Sequence, residues 1–268
     1  ERGRRRRPRE VLENIGALVL MRQQLDLIHN EKWEILIVFD ACRFDVFEKI
    51  IEELGTAGKL TACWSPVTHT AEWYNQIWQG RHEDIALVSC TAMPWRTNET
   101  HGVWRRFWRA YPLWKNSNLH NDFGQIPMAG ALKEAEKIKI LNPDKRMLLH
   151  VVPPHLPYFG VEGKQFLWEL AGGRQGRVKF PVHNPYKIIE EYGKKHGWER
   201  PRRAYEESLH SSMKAVAEAD WLEGGVITSD HGELLGEAGR YIHGYGRLIG
   251  NLIDHPKLHT VPWFRLET

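Results

Sequence analysis

Short apolar runs alternating with stretches of helical spacing predict an α/β protein. The expected architecture is a three-layer sandwich, a mostly parallel central sheet covered by helices on both faces. Two observations carry this. Trp33–Phe39, Asp84–Cys90 and Lys145–Val152 are near-continuous apolar runs, the pattern of strands buried on both faces. Between them lie segments whose apolar residues recur every three to four positions.

The elements follow in order. Val11–Ile28 has helical spacing, and strand 33–39 stops abruptly at Asp40. Phe44–Leu54 returns to helix and Gly58–Trp64 to strand, followed by a helix over 71–79 and the strand 84–90. In Trp95–Trp114, the positions Trp104, Phe107, Trp108 and Tyr111 share one helical face, predicting a helix buried by its aromatic side. That reading outranks a nucleic-acid stacking platform built from the same aromatics and arginines. Strand 145–152, helix 201–221, strand 225–229 and a last short strand at 259–264 complete the chain. Residues 11–268 are expected to form one domain.

Composition narrows the function. Hydrophobic residues at 42% and charged residues at 26% exclude a chain that is mainly disordered. The longest apolar run of the N-terminal region, Ile15–Met21, is far short of the roughly 20 residues of a membrane span. Three widely spaced cysteines, Cys42, Cys63 and Cys90, make neither a disulfide framework nor a C-x-x-C metal site, so a cytoplasmic protein is expected. Six arginines fall within residues 1–10 alongside two acids, which leaves 31 basic and 32 acidic residues in the body. The body is therefore not a basic nucleic-acid-binding surface. Only the tail is cationic, expected to be disordered and able to contact an acidic partner.

Three strand ends carry metal-capable side chains: Asp40, His150 with His155, and Asp230-His231. Ligands of open α/β sheets bind beyond the carboxyl ends of the strands, so these groups belong on one rim. Carboxylate oxygen with imidazole nitrogen suits Zn²⁺, Mn²⁺ or a similar divalent ion. Gly232 is expected to supply the sharp turn after His231.

The run Thr228–Gly239, with Asp230-His231-Gly-Glu at its centre and a His-Gly following at His243, resembles the C-terminal signature of the alkaline phosphatase superfamily, particularly its archaeal sulfatase-like members. Leu36–Arg43 resembles that family's first metal-binding strand, and Pro154–Tyr158 its Pro-His-x-Pro-Tyr segment. The resemblance implies Asp40, Asp230 and His231 as ligands of a principal divalent metal (Zn, Mn, Mg or Ca). It implies one such site, or two, and places Thr70 at the nucleophile position with Thr68 the alternative. A plain N-cap role for Thr70 is compatible with both. His155, His243 and Arg43 would bind substrate or a second metal, with His150 and His69 as weaker candidates. Asp45, Glu233 and Glu237 read as helix-terminus charges.

The implied activity is metal-dependent hydrolysis or transfer at a phosphoester, phosphodiester or phosphonate, or at a sulfate ester, of a small anionic substrate. No cysteine lies in a C-x-P-x-R context, which argues against the formylglycine sulfatase mechanism. The rival class is an inactive binding or assembly module that uses the basic tail.

Overall fold

The computed structural model describes residues 21–96, 102–121, 124–170, 185–244 and 252–267. Eight strands form the central sheet: β1 (Arg22–Gln23), β2 (Ile35–Asp40), β3 (Gly58–Trp64), β4 (His82–Ser89), β5 (Phe107–Pro112), β6 (Arg146–Pro154), β7 (Val226–Ser229) and, after a small ribbon of β8 (Leu234–Leu235) and β9 (Tyr241–Ile242), β10 (Thr260–Leu266). Their order across the sheet is β1-β3-β10-β7-β2-β6-β4-β5. Pairing is parallel throughout except for β10, which runs antiparallel to both β3 and β7.

Alternation along β2 separates the two layers of core. Ile35, Ile37 and Phe39 face one cluster, together with α2 (Phe44–Leu54), α4 (Met128–Leu141), α5 (Val161–Leu170), α6 (Pro185–His196) and α7 (Glu199–Ala217). Leu36 and Val38 face the other, with α1 (Gln24–Asn30) and α3 (Thr70–Ile77). The sheet is thus covered on both faces, and β2 reads as a continuous apolar run because neither face meets water.

β2 lies between β7 and β6, which brings their carboxyl ends together. The β2–β6 register shifts at Phe39/Asp40, so that Asp40 pairs with Pro154. A bulge of this kind re-aims the side chain at a strand end. The chain then turns through Ala41 at φ +59°, a conformation that L residues rarely adopt. The turn is held by Ala41 N–H donating to Asp230 Oδ1 (3.0 Å), Cys42 N–H to Ser229 Oγ (2.7 Å) and the Tyr205 hydroxyl to the Ala41 carbonyl (2.6 Å).

Several expectations are corrected. Residues 104–111 are not a helix: Val103–Arg106 is a 3₁₀ turn, and Phe107–Pro112 is the parallel edge strand β5. Aromatic residues fit a pleated surface well, and the free edge of β4 supplies hydrogen bonds that outweigh the helical spacing. The helix expected over 11–28 is interrupted at Arg22–Gln23, which pair with Cys63–Trp64, and α1 begins only at Gln24. Residues 11–20 and the basic tail lie outside the described residues. Gly232 is needed for close approach rather than for a turn, since a Cβ there would sit 2.0 Å from the Lys257 carbonyl oxygen. Among the described residues, no helix is long and apolar enough to cross a membrane.

Candidate metal centre and nucleophile

Asp40 ends β2, Asp230 and His231 follow β7, and His150 lies in β6. One ligand atom from each of Asp40, His150 and Asp230 falls within 4.8 Å of the others. His231 joins them, with Nε2 3.4 Å from Asp230 Oδ2 and 3.8 Å from Asp40 Oδ1. All four side chains are buried. Asp40 Oδ1, Asp230 Oδ2 and His150 Nε2 are buried without a hydrogen-bond partner. Native proteins seldom leave such atoms unsatisfied, and three around one point form the donor set of a divalent cation.

The electrostatics agree. Burial first, then the charges of Asp230 and Glu233, push the Asp40 carboxyl well above the usual range. Burial works the same way on Asp230, but His231, His150, the Ala41 N–H and the Thr70 hydroxyl outweigh it and hold its carboxyl low. Two buried carboxylates at this separation repel unless a cation lies between them. Burial holds both His150 and His231 near about 4, so each is a neutral imidazole able to act as a ligand.

Hydrogen bonds engage the far nitrogens of both rings. His231 Nδ1–H donates to the Gly232 carbonyl (2.9 Å), which leaves Nε2 facing the carboxylates. The Tyr74 hydroxyl lies 2.8 Å from His150 Nδ1 and so engages the far nitrogen of that ring. His150 Nε2 is left bare toward Asp230 Oδ2, 4.0 Å away.

Thr70 opens α3, and its Oγ1 lies 3.4 Å from His231 Nε2. It is not the N-cap: His69 is, accepting the Ala71 N–H on Nδ1 (3.1 Å). That capping bond occupies one of the His69 nitrogens. Thr68 is also buried, and its hydroxyl has no hydrogen-bond partner. Gln24 braces α3 from behind, donating to Thr228 Oγ1 (2.8 Å) and Ser229 O (2.6 Å) while accepting from Trp73 Nε1 (2.9 Å).

The other expected residues divide. The His243 ring lies tilted 4.4 Å from that of His231 and edge-on 5.1 Å from that of His155, so both later histidines border the centre. Arg43 is instead committed to carboxylates: Nε and Nη2 to Asp45 (2.9 and 2.6 Å) and Nη1 to Glu237 (2.8 Å). Asp45 does lie in the first turn of α2, and Lys257 also donates to it (2.7 Å). Glu233 is no helix-terminus charge. It is buried before β8, accepts from His243 Nδ1 (2.8 Å), and burial pushes its carboxyl up to about 8. A carboxylate that orients a histidine is the usual support of a metal or catalytic imidazole.

His150 is the member of the cluster that sequence reasoning ranked too low. The signal was present in its strand-end placement beside Asp40 and Asp230. What hid it was its position inside an apolar run, where a histidine reads equally well as core.

No family model matches this sequence, and no curated protein matches it. Solved structures share the fold. The C-terminal periplasmic domain of EcEptC from Escherichia coli aligns with a TM-score of 0.52 at 14% identity, over 87% of this chain and 72% of that one. The lipoteichoic acid synthase LtaP from Listeria monocytogenes aligns at 0.50 and 13%, over 95% and 71%. The integral membrane protein lipooligosaccharide phosphoethanolamine transferase A (EptA) from Neisseria meningitidis aligns at 0.48 and 12%, over 96% of this chain and 53% of that one. The chain therefore spans about half the length of EptA.

Proposed function

We propose that this chain, whose solved structural neighbours are members of the alkaline phosphatase superfamily, is a metal-dependent enzyme acting on phosphoester, phosphodiester or phosphonate bonds, with sulfate esters the less favoured substrates. The observation that carries the reading is the convergence of three buried, unpartnered ligand atoms, on Asp40, Asp230 and His150, beside the Thr70 hydroxyl. Asp40, Asp230, His231 and His150 would hold the ion. Bound there, a divalent cation would favour negative charge on the attacking oxygen and on the substrate.

The chain's own residues supply the rest. Thr70 Oγ1 is presented at the start of α3, 3.4 Å from the neutral imidazole of His231, which is placed to take its proton. Attack would form the bond from Thr70 Oγ1 to phosphorus as the alkoxide leaving group departs. A second acceptor, water or an alcohol, would then displace the threonine. His243, steadied by Glu233, borders this space. The acceptor decides between hydrolase and transferase. EptA is described as a transferase and LtaP as a synthase, and their likeness in fold makes transfer a natural arm of the test. Cytoplasmic residence belongs to the same proposal and rests on the cysteine pattern, although the EcEptC domain is described as periplasmic.

The test is an activity screen of the metal-loaded protein on aryl phosphate monoesters and diesters, phosphonates and sulfates, with and without glycerol as acceptor. Turnover lost on chelation, with a phosphate adduct of Thr70 trapped for mass spectrometry, is the expected result. Bound metal with no turnover on any substrate would overturn it in favour of a binding module.

A further inference from the structure

His155 and His243 border the principal centre, their ring centroids 5.1 Å apart, and an ion shared by these two imidazoles would be a second one. Nδ1 of each imidazole is committed. His155 Nδ1–H donates to the Leu156 carbonyl (2.7 Å), and His243 Nδ1 meets Glu233 Oε2 (2.8 Å). A shared ion would therefore need Nε2 of both. At His155 that nitrogen is taken: the Tyr186 hydroxyl lies 2.5 Å from it.

Tyr186 is held there by more than this bond. It stands in the first turn of α6, its ring edge-on to both imidazoles, with centroids 6.0 Å from His155 and 5.5 Å from His243. The same helix is pinned to β9 by Glu190, which accepts from Arg240 Nε (2.8 Å) and from the Tyr241 N–H (3.1 Å). Tyr241 is two residues before His243, so the helix carrying Tyr186 and the loop carrying His243 are fixed to one another. The principal cluster differs in kind: ligand atoms of Asp40, Asp230 and His150 lack partners, whereas the distal pair is closed by a phenol.

We propose that Tyr186 sets the metal count of this site: its hydroxyl occupies the ligating nitrogen of His155, so the distal histidines take no second ion and the chain works with one. This rests on the metal reading above only for the first ion. The distal pair with Tyr186 would then serve as a hydrogen-bonding wall for the substrate's non-reacting oxygens.

Metal counting tests it without any assay of activity. The full chain is stripped with a chelator, reloaded with excess Zn²⁺, desalted and subjected to elemental analysis, and the Co²⁺-loaded protein is titrated by its visible absorption. The expected result is one ion per chain in the parent, two in Tyr186→Phe, which keeps the ring but removes the hydroxyl, and one again in Tyr186→Phe/His155→Ala. Two ions in the parent, falling to one in His155→Ala, would overturn the proposal. So would a single ion in Tyr186→Phe, or two that persist in the double variant. No ion in the parent but one in Tyr186→Phe would sink the principal-centre reading while upholding the role of Tyr186. None in either would sink both.

Discussion

Thr70 Oγ1 lies 3.4 Å from Nε2 of His231, across 161 residues of sequence. The contact joins the first turn of α3 to the end of β7, and Gln24 ties the two elements together from behind. If Thr70 is the nucleophile, Thr70→Ala should lower kcat on an aryl phosphate by about 10³-fold or more, because the attacking atom is gone. Its thermal stability should change little, since His69 and not Thr70 caps the helix. Thr70→Ser should keep partial activity and Thr68→Ala most of it. Steady-state kinetics on the four proteins decides, and an inactive Thr68→Ala beside an active Thr70→Ala would move the nucleophile by two residues.

Asp40 and Asp230 should behave differently with and without metal. Asp40→Asn should abolish tight Zn²⁺ or Mn²⁺ binding. In chelated protein it should raise Tm, because a buried carboxylate facing Asp230 is removed. Each kcal/mol of relief is worth roughly 2–4 °C in a protein of this size class. Melting curves in excess chelator and in excess Zn²⁺ should therefore reorder the parent and the variant. An unchanged order would show that the two carboxylates do not share an ion.

Tyr74 should matter to metal affinity although it is not a ligand. Tyr74→Phe removes the oxygen that is hydrogen-bonded to His150 Nδ1 and so frees the ring to turn. Support of this kind is worth about 10–100-fold in affinity. Competition against a chelating dye measures it, with His150→Ala as the lower limit. Equal affinities for Tyr74→Phe and the parent would remove His150 from the ligand set.

Asp45 gives a prediction in acid. Burial opposes its charge, but Arg43 and then Lys257 more than compensate and bring its carboxyl down to about 2. A carboxyl lowered in the folded state contributes stability that is complete above its unfolded value near 4 and lost as pH falls toward 2. Between those limits Tm should fall more steeply in the parent than in Asp45→Asn. Parallel curves would mean that the pairing is weak in solution.

Deletion of residues 1–9 should leave Tm and any turnover nearly unchanged, because an arginine-rich run has almost nothing to bury. Affinity for an acidic partner should drop, most clearly at low salt. A large loss of stability would show that the arginines dock on the body.

The sequence alone predicted six of the eight sheet strands and the helices α2, α3 and α7, but not β1, β5 or the helices α4, α5 and α6. Ile35–Asp40 reads as a doubly buried strand because its side chains alternate between two covered faces, and Phe44–Leu54 as a helix because its apolar residues share one stripe. Asp40, Asp230 and His231 were legible for a related reason: each stands where an apolar run stops, and strand ends of a parallel sheet share a rim. Tertiary structure decided the rest. Whether Phe107–Pro112 becomes helix or strand depends on the open edge of β4, which no local pattern encodes. His150 looks like a core residue until β2 and β7 bring two carboxylates to it. Arg43 is taken up by Asp45 and Glu237, and Tyr186 reaches His155 from a helix 31 residues away. Such pairings arise only once the chain has folded, because what a buried charge or a bare nitrogen does depends on the neighbours that take up its hydrogen bonds.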